Sequence, residues 1–185
     1  MTDRPIVVLG VSGSVAAYKA PTVARGLAAG GCRVLPMMTR AAGRFLGAAT
    51  LAGITGEKVH EDMWGAEGGE PHVELGKLAT AIVLVPATAD LLARLAQGRA
   101  DDIVTATALC TRAPVLIVPA MHPSMWSHPA TQRNVATLRA DGLIFVGPVD
   151  GPVASGDSGL GRMSDPGDVV CAVLETLARA KTGTA

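Results

Sequence analysis

Residues 119–126 read PAMHPSMW and follow the apolar run Pro114 to Val118, so two methionines, a histidine and a tryptophan crowd where a strand opens outward. Connections are ordinarily built from Gly, Pro, Asn, Asp and Ser, each for a backbone reason. Large apolar groups beside a titratable one therefore call for another account. Two are open: a loop tucked under a neighbouring element, or a pocket wall carrying Met121, His122, Met125 and Trp126. Open α/β sheets bind ligands outside the carboxyl ends of their strands, which is where this loop would stand.

A second candidate is GVSGS at 10–14, after the first apolar run. Backbone amides at a helix start, approachable through Gly10 and Gly13 and assisted by Ser12 and Ser14, form a phosphate site; the same residues can merely cap the helix. The dinucleotide fingerprint would need glycine where Ser12 and Val15 stand, and no Gly-Lys-Ser/Thr run follows, so a mononucleotide fits better than a dinucleotide. Thr39 and Arg40 fall on the same rim. His72, in EPHVELGKLATAIVLVPATAD, could move a proton at neutral pH if it lies near the pocket, although a lone histidine also serves as a surface or structural group.

Residues 147–164, GPVDGPVASGDSGLGRMS, have no hydrophobic period. A loop of that length in a compact domain is a functional flap or disordered. Leu160, Arg162 and Met163 give it something to bind with, which favours the flap.

These pieces need a scaffold to bring them together. Strand-length apolar runs at Ile6 to Val11, Arg33 to Met38, Ala81 to Val85, Val115 to Val118 and Leu143 to Val146 alternate with Ala-rich helical segments. Helices are expected at Val15 to Ala29, ended by Gly30 and Gly31, then at Ala89 to Gln97, Asp102 to Cys110 and Ala130 to Ala140. Asp165 to Ala180 closes the chain, with Asp165 as cap. One or two short helices are expected within Ala41 to Val59. The alternation predicts an α/β fold with a parallel sheet covered on both faces. A single domain over 1–185 is expected, with its flap at about 147–164.

Composition narrows the partners. Of 185 residues 49% are hydrophobic, enough for a full core, and sixteen basic residues balance sixteen acidic ones. That balance gives no footprint for nucleic acid or an anionic membrane. Cys32, Cys110 and Cys171 match no metal or redox spacing, so no metal is expected and a reducing, cytoplasmic setting fits. No apolar run approaches the roughly 20 residues that span a bilayer, and neither signal peptide nor anchor is expected.

Taken in order, GVSGSVAAYK, His72 in HVELGKLA, PATAD at 86–90, PAMHPSMW and SGDSGLGRM at 155–163 closely resemble the flavin-containing cysteine decarboxylases. That family includes phosphopantothenoylcysteine decarboxylase and the peptidyl-cysteine decarboxylases of lantibiotic- and linaridin-type peptide biosynthesis. The resemblance implies a Rossmann-like, flavodoxin-like three-layer subunit. It also implies a homo-oligomer, a trimer often built into a dodecamer, with FMN between subunits and FAD as an alternative. It implies an enzyme in which flavin oxidises a substrate cysteine toward a thioaldehyde, whose thiocarbonyl accepts the electron pair released as CO2 departs. His72 then matches the catalytic base. Gly10, Ser12, Gly13, Ser14, Thr39, Pro86, Ala87, Thr88, Asp90 and Met121 match the cofactor side. His122, Met125, Trp126, Ser155, Arg162 and Met163 match the substrate side, His122 with a catalytic share.

Three positions depart from the pattern. His122 stands where the family has an Asn that orients the substrate carboxylate, a role an imidazole N–H can still fill. Asp90 and Leu91 replace Asn and Thr. Ser155 replaces a flap cysteine that helps reduce the enethiol, and a hydroxyl is too weakly acidic to stand in readily. An enethiol product follows from that last change. Because no room is left for a following ligase domain either, the expectation places a precursor peptide with a C-terminal cysteine first, converted to an aminoenethiol for S-aminovinyl-cysteine formation. Phosphopantothenoylcysteine of coenzyme A biosynthesis comes second. Flavin prenyltransferases and a non-catalytic flavoprotein are the readings from other classes.

Overall fold

The computed structural model of the chain describes residues 4–64 and 69–182. Five strands, β1 (Ile6–Val11), β2 (Arg33–Met38), β3 (Ala81–Ala87), β4 (Val115–Pro119) and β5 (Ile144–Phe145), form one parallel sheet in the order β2-β1-β3-β4-β5. The central strands β1, β3 and β4 are continuous apolar runs because both faces are covered, with every residue of β3 and β4 buried, whereas β5 at the edge leaves Ile144 exposed. The chain passes outward from β1 to β2, then returns across β1 to β3. The strand order therefore reverses between β1 and β3, and the crevice there is the usual ligand position of such a sheet.

Side-chain alternation along each strand divides the core in two. On one face Val7, Leu9, Val11, Val83 and Val85 pack against α1 (Ala20–Ala29), α2 (Ala48–Thr55) and α8 (Pro166–Thr182), through residues such as Leu27, Leu51 and Val173. On the other, Val8, Ile82, Leu84 and Ile117 meet α3 (Pro71–Leu78), α4 (Ala89–Ala96), α5 (Ile103–Cys110) and α7 (Pro129–Ala140), through Leu75, Leu92, Val104 and Leu138. Truncating any one of these large side chains to Ala would cost about 2–5 kcal/mol.

Several expectations shift. The helix expected from Val15 starts as a 3-10 turn, Val15–Lys19, which Ser14 caps by accepting the Ala16 N–H at 3.2 Å; the α-helix proper begins at Ala20, before Pro21. The ambiguous 41–59 segment resolves into a 3-10 turn, Ala42–Arg44, and α2. Two helices were not anticipated: α3, and α6 (Pro123–Ser127) inside the PAMHPSMW segment. Asp165 does not cap α8 through its side chain; its carboxylate goes instead to Arg162 at 3.3 Å and Lys19 at 3.8 Å.

Candidate functional site

The carboxyl ends of β1 to β4 carry GVSGS, Thr39, PATAD and PAMHPSMW along one edge of the sheet, as their positions after apolar runs required. Ser12 is buried: its hydroxyl donates to the Pro86 carbonyl at 2.7 Å and accepts from the Thr88 N–H at 3.2 Å. The Thr39 hydroxyl is likewise buried, accepting from the Ala42 N–H at 3.2 Å. Both were expected to touch cofactor; within the subunit each hydroxyl also bonds to the polypeptide and shapes the edge from within. Gly10 is buried under Leu84, and Pro86 and Ala87 are buried as the end of β3. Thr88 caps α4 by accepting the Leu91 N–H. The Asp90 side chain turns away along α4 to Arg94 at 3.0 Å, and Asp101 and Asp102 complete that cluster. Burial alone would lower the Arg94 guanidinium, but the three carboxylates reverse this and raise it above its ordinary range.

Beside this edge lies a pocket of about 390 Å³ between the Ser14–Lys19 turn, the Ala120–His122 segment and the flap. Of the expected residues it gathers Ser14, Met121, His122, Ser155, Arg162 and Met163. It does not gather Trp126, which is only 8% exposed and belongs to the α4–α7 core, nor Met125, which faces outward. For Trp126 the account as a loop residue tucked under its neighbours is correct. His72 stands outside the pocket at the start of α3, half-buried, with its Nδ1 buried and without a hydrogen-bond partner.

The flap is a narrow antiparallel hairpin. Val149 bridges Arg162, Pro152 bridges Ser158, and Gly151 and Gly159 exchange backbone hydrogen bonds. Its base is pinned where the Met121 N–H donates to the Gly161 carbonyl at 2.9 Å; a Cβ at position 161 would be driven into the Met121 carbonyl oxygen. Its tip meets His122, whose Nε2 lies 2.9 Å from Asp157 Oδ2. His122 Nδ1 accepts the Ser124 N–H at 3.1 Å as the cap of α6, so the neutral ring carries its proton on Nε2 and donates it to Asp157. His128 caps α7 in the same way, also ahead of a proline.

Sequence reasoning missed Tyr18 and Lys19, which line the pocket, and Asp157 and Asp165 behind it. The YK pair at the end of GVSGSVAAYK was available as a signal; for the two aspartates nothing short of the flap's path was. Lys19 and Arg162 both line the pocket and share one carboxylate, Asp165. Two cationic side chains therefore stand at the pocket wall, where an anion could meet them.

Two features of this edge fit a bound mononucleotide-like group. Ser14, Val15 and Ala16, at the helix start after β1, line the pocket where backbone N–H groups suit an anion, and position 13 is held to glycine because a Cβ there would lie 2.6 Å from the Ala41 Cβ. The buried His72 Nδ1 also has no hydrogen-bond partner among the described residues, so a bound group could supply one. Among the described residues no group of three His, Cys, Asp or Glu side chains converges as a metal site.

The switch-point turn, the pocket at the carboxyl edge and its hairpin flap define a doubly wound α/β protein built for a nucleotide-type cofactor. The chain belongs to the Flavoprotein family, which matches residues 1–178. It is 50% identical over 163 residues to the coenzyme A biosynthesis bifunctional protein CoaBC of Mycobacterium bovis, covering 88% of this chain and 39% of that one. The Escherichia coli CoaBC protein is 45% identical over 166 residues, 89% of this chain and 41% of that one. The chain thus spans about two fifths of the length of these curated relatives. Among solved structures, a cysteine-to-serine variant of PPC decarboxylase complexed with pantothenoylaminoethenethiol superposes with a TM-score of 0.85 at 28% identity, covering 92% of this chain and 97% of that one. The FMN-dependent cysteine decarboxylase SpaF gives 0.82 at 35% identity, covering 96% and 97%. The expected fold and the resemblance to flavin-containing cysteine decarboxylases are both borne out.

Proposed function

We propose that the chain is an FMN-dependent decarboxylase of a cysteine carboxylate, and that phosphopantothenoylcysteine is its substrate. The pocket carries this reading: it sets Met121, His122, Ser155 and Met163 around a space whose wall presents the cations Lys19 and Arg162, suited to a small thiol bearing anionic groups. The preference for this substrate over a peptide reverses the order expected from sequence. It rests on the 50% identity to CoaBC over most of the chain, against 35% to SpaF.

When bound, the flavin supplies a two-electron acceptor for hydride from the cysteine Cβ. Gly13, Ser14 and the backbone after β3 would hold it. His72, whose Nδ1 lacks a partner, would take the proton released at the substrate. Lys19 and Arg162 hold the anionic end, and the flap excludes water. His72 stands outside the pocket of one subunit, which supports assembly into a homo-oligomer, a trimer or a dodecamer built of trimers, whose neighbours complete the site. Residues 1–185 would act as a single domain with its flap over 147–164. Among the described residues no helix is long and apolar enough to cross a membrane.

Ser155 favours a second reading, a precursor peptide ending in cysteine, because nothing at that position reduces an enethiol. One experiment separates the two. The flavin-loaded protein is incubated with phosphopantothenoylcysteine and, in parallel, with a short peptide ending in cysteine, and products are weighed by mass spectrometry. Turnover of the small thiol supports the first reading, turnover of the peptide alone supports the second, and silence on both ends the decarboxylase assignment.

A further inference from the structure

The base and the tip of the flap are held by different means. Backbone hydrogen bonds secure the base, from the Val149 N–H to the Arg162 carbonyl at 2.9 Å and from the Met121 N–H to the Gly161 carbonyl at 2.9 Å. The turn at the tip is closed only on itself, with the Val153 N–H on the Asp157 carbonyl and the Gly156 N–H on the Val153 carbonyl. What ties the tip to the body of the protein is Asp157 Oδ2, which accepts from His122 Nε2 at 2.9 Å and from the Ser155 hydroxyl at 2.8 Å. Asp157 does not itself line the pocket, whereas His122 and Ser155 do. Its exposed carboxylate sits lower than an ordinary aspartate's, first because of the His122 hydrogen bond and then that of Ser155.

We propose that Asp157 is a positioning residue: it clasps the flap tip to His122 and spends the protons of His122 Nε2 and Ser155 Oγ outside the pocket, fixing how those two side chains face the substrate. The clasp follows from His122. Its Nδ1 is committed to capping α6, so Nε2–H is the one donor left on the neutral ring and Asp157 takes it. In the clasped state neither His122 nor Ser155 offers a donor to a substrate carboxylate. Lys19 and Arg162 are left to do so. Asp157 is then a determinant of substrate retention rather than of chemistry, a conclusion that rests on the decarboxylase reading for its kinetic consequence alone.

The test uses the flavin-loaded full chain and its Asp157→Ala, His122→Ala and doubly substituted variants, with Asp150→Ala as a control for flap charge. Amide hydrogen exchange is followed at the tip (153–157) and at the base (149 and 121). Because the His122–Asp157 hydrogen bond is solvent-exposed, it falls in the range of an ordinary hydrogen bond and predicts tip exchange faster by roughly three- to tenfold in Asp157→Ala, with the base unchanged. His122→Ala should match it, the double variant should add nothing further, and Asp157→Asn, which keeps an acceptor oxygen, should recover part of the protection. With phosphopantothenoylcysteine, KM should rise by a similar factor while kcat falls by less. Unchanged tip exchange in Asp157→Ala, or additive effects in the double variant, would overturn the clasp. A wild-type chain that turns over neither thiol substrate fails the decarboxylase reading instead, and the exchange data then decide the clasp alone.

Discussion

The Ser12 hydroxyl joins the ends of β1 and β3 by donating to the Pro86 carbonyl at 2.7 Å, and it accepts the Thr88 N–H on the same edge. One buried side chain thus sets the spacing of the two loops that flank the switch point. Ser12→Ala leaves the Thr88 N–H without its acceptor. The expected loss is about 1–3 kcal/mol of stability, together with weaker flavin retention, read by denaturant unfolding and by flavin absorbance after desalting. Undiminished stability would show that water replaces the hydroxyl.

His72→Asn keeps a polar side chain at the start of α3 while removing the titratable ring. Flavin binding should persist, and decarboxylation should fall by about 10²- to 10⁴-fold, the range a positioned acid–base group contributes. An unchanged rate would remove His72 from catalysis.

Ser155 lines the pocket, so the product reports on it directly. The wild-type product should be lighter than substrate by about 46 Da, CO2 plus two hydrogens, since the flavin takes the hydride. In Ser155→Cys a fraction of product should be lighter by about 44 Da only, the saturated thiol, because a thiol can give the enethiol the proton that must accompany return of the hydride held by reduced flavin, which a hydroxyl cannot readily do. Saturated thiol from the wild type would overturn the role assigned to this position.

Asp102 accepts from the Val104 and Thr105 N–H groups as the cap of α5 and holds Arg94 at 2.6 Å. Asp102→Ala removes cap and ion pair together. The expected loss is about 1–2 kcal/mol from the cap, with no change in the flavin spectrum, because the cluster lies away from the pocket.

His60 is half-buried, and burial, then Lys58, holds its pKa below the ordinary value. Neutral His60 is therefore favoured by folding, and this contribution is lost as pH falls below the unfolded value of about 6.5. Wild-type stability should decline as pH falls through about 6.5, where His60→Gln should be flatter. Glu57, Asp101 and Asp157, all lowered by hydrogen-bonded partners, lose their contribution only as pH falls below about 4, so the two windows separate.

Much of the fold was legible in the chain. Runs such as Ile6–Val11 and Val115–Pro119 are apolar at consecutive positions because both faces of a parallel strand are covered, and all five strands fall where such runs occur. α3 and α6 were not legible. Each begins at a proline; the five residues of α6 are too few for a helical period to stand out, and α3 buries only Leu75 and Gly76, too sparse an apolar face to read.

The site divides in the same way. Sequence by itself determined which loops end up on one edge, because strands placed in parallel must deliver their following turns to the same side. It also determined the chemistry available there, through the glycines and serines of the first turn, His72 and the Arg162-bearing flap. Only the tertiary structure decided what each side chain does with its hydrogen bonds. Ser12 and Thr39 bond to the polypeptide at the edge, Asp90 turns to Arg94, Trp126 enters the core, and His122 divides its two nitrogens between a helix cap and Asp157, 35 residues along the chain. The reason is physical. Hydrogen bonds are directional and short, so a side chain's partner depends on ångström-scale placement of distant segments, which no residue type or spacing specifies.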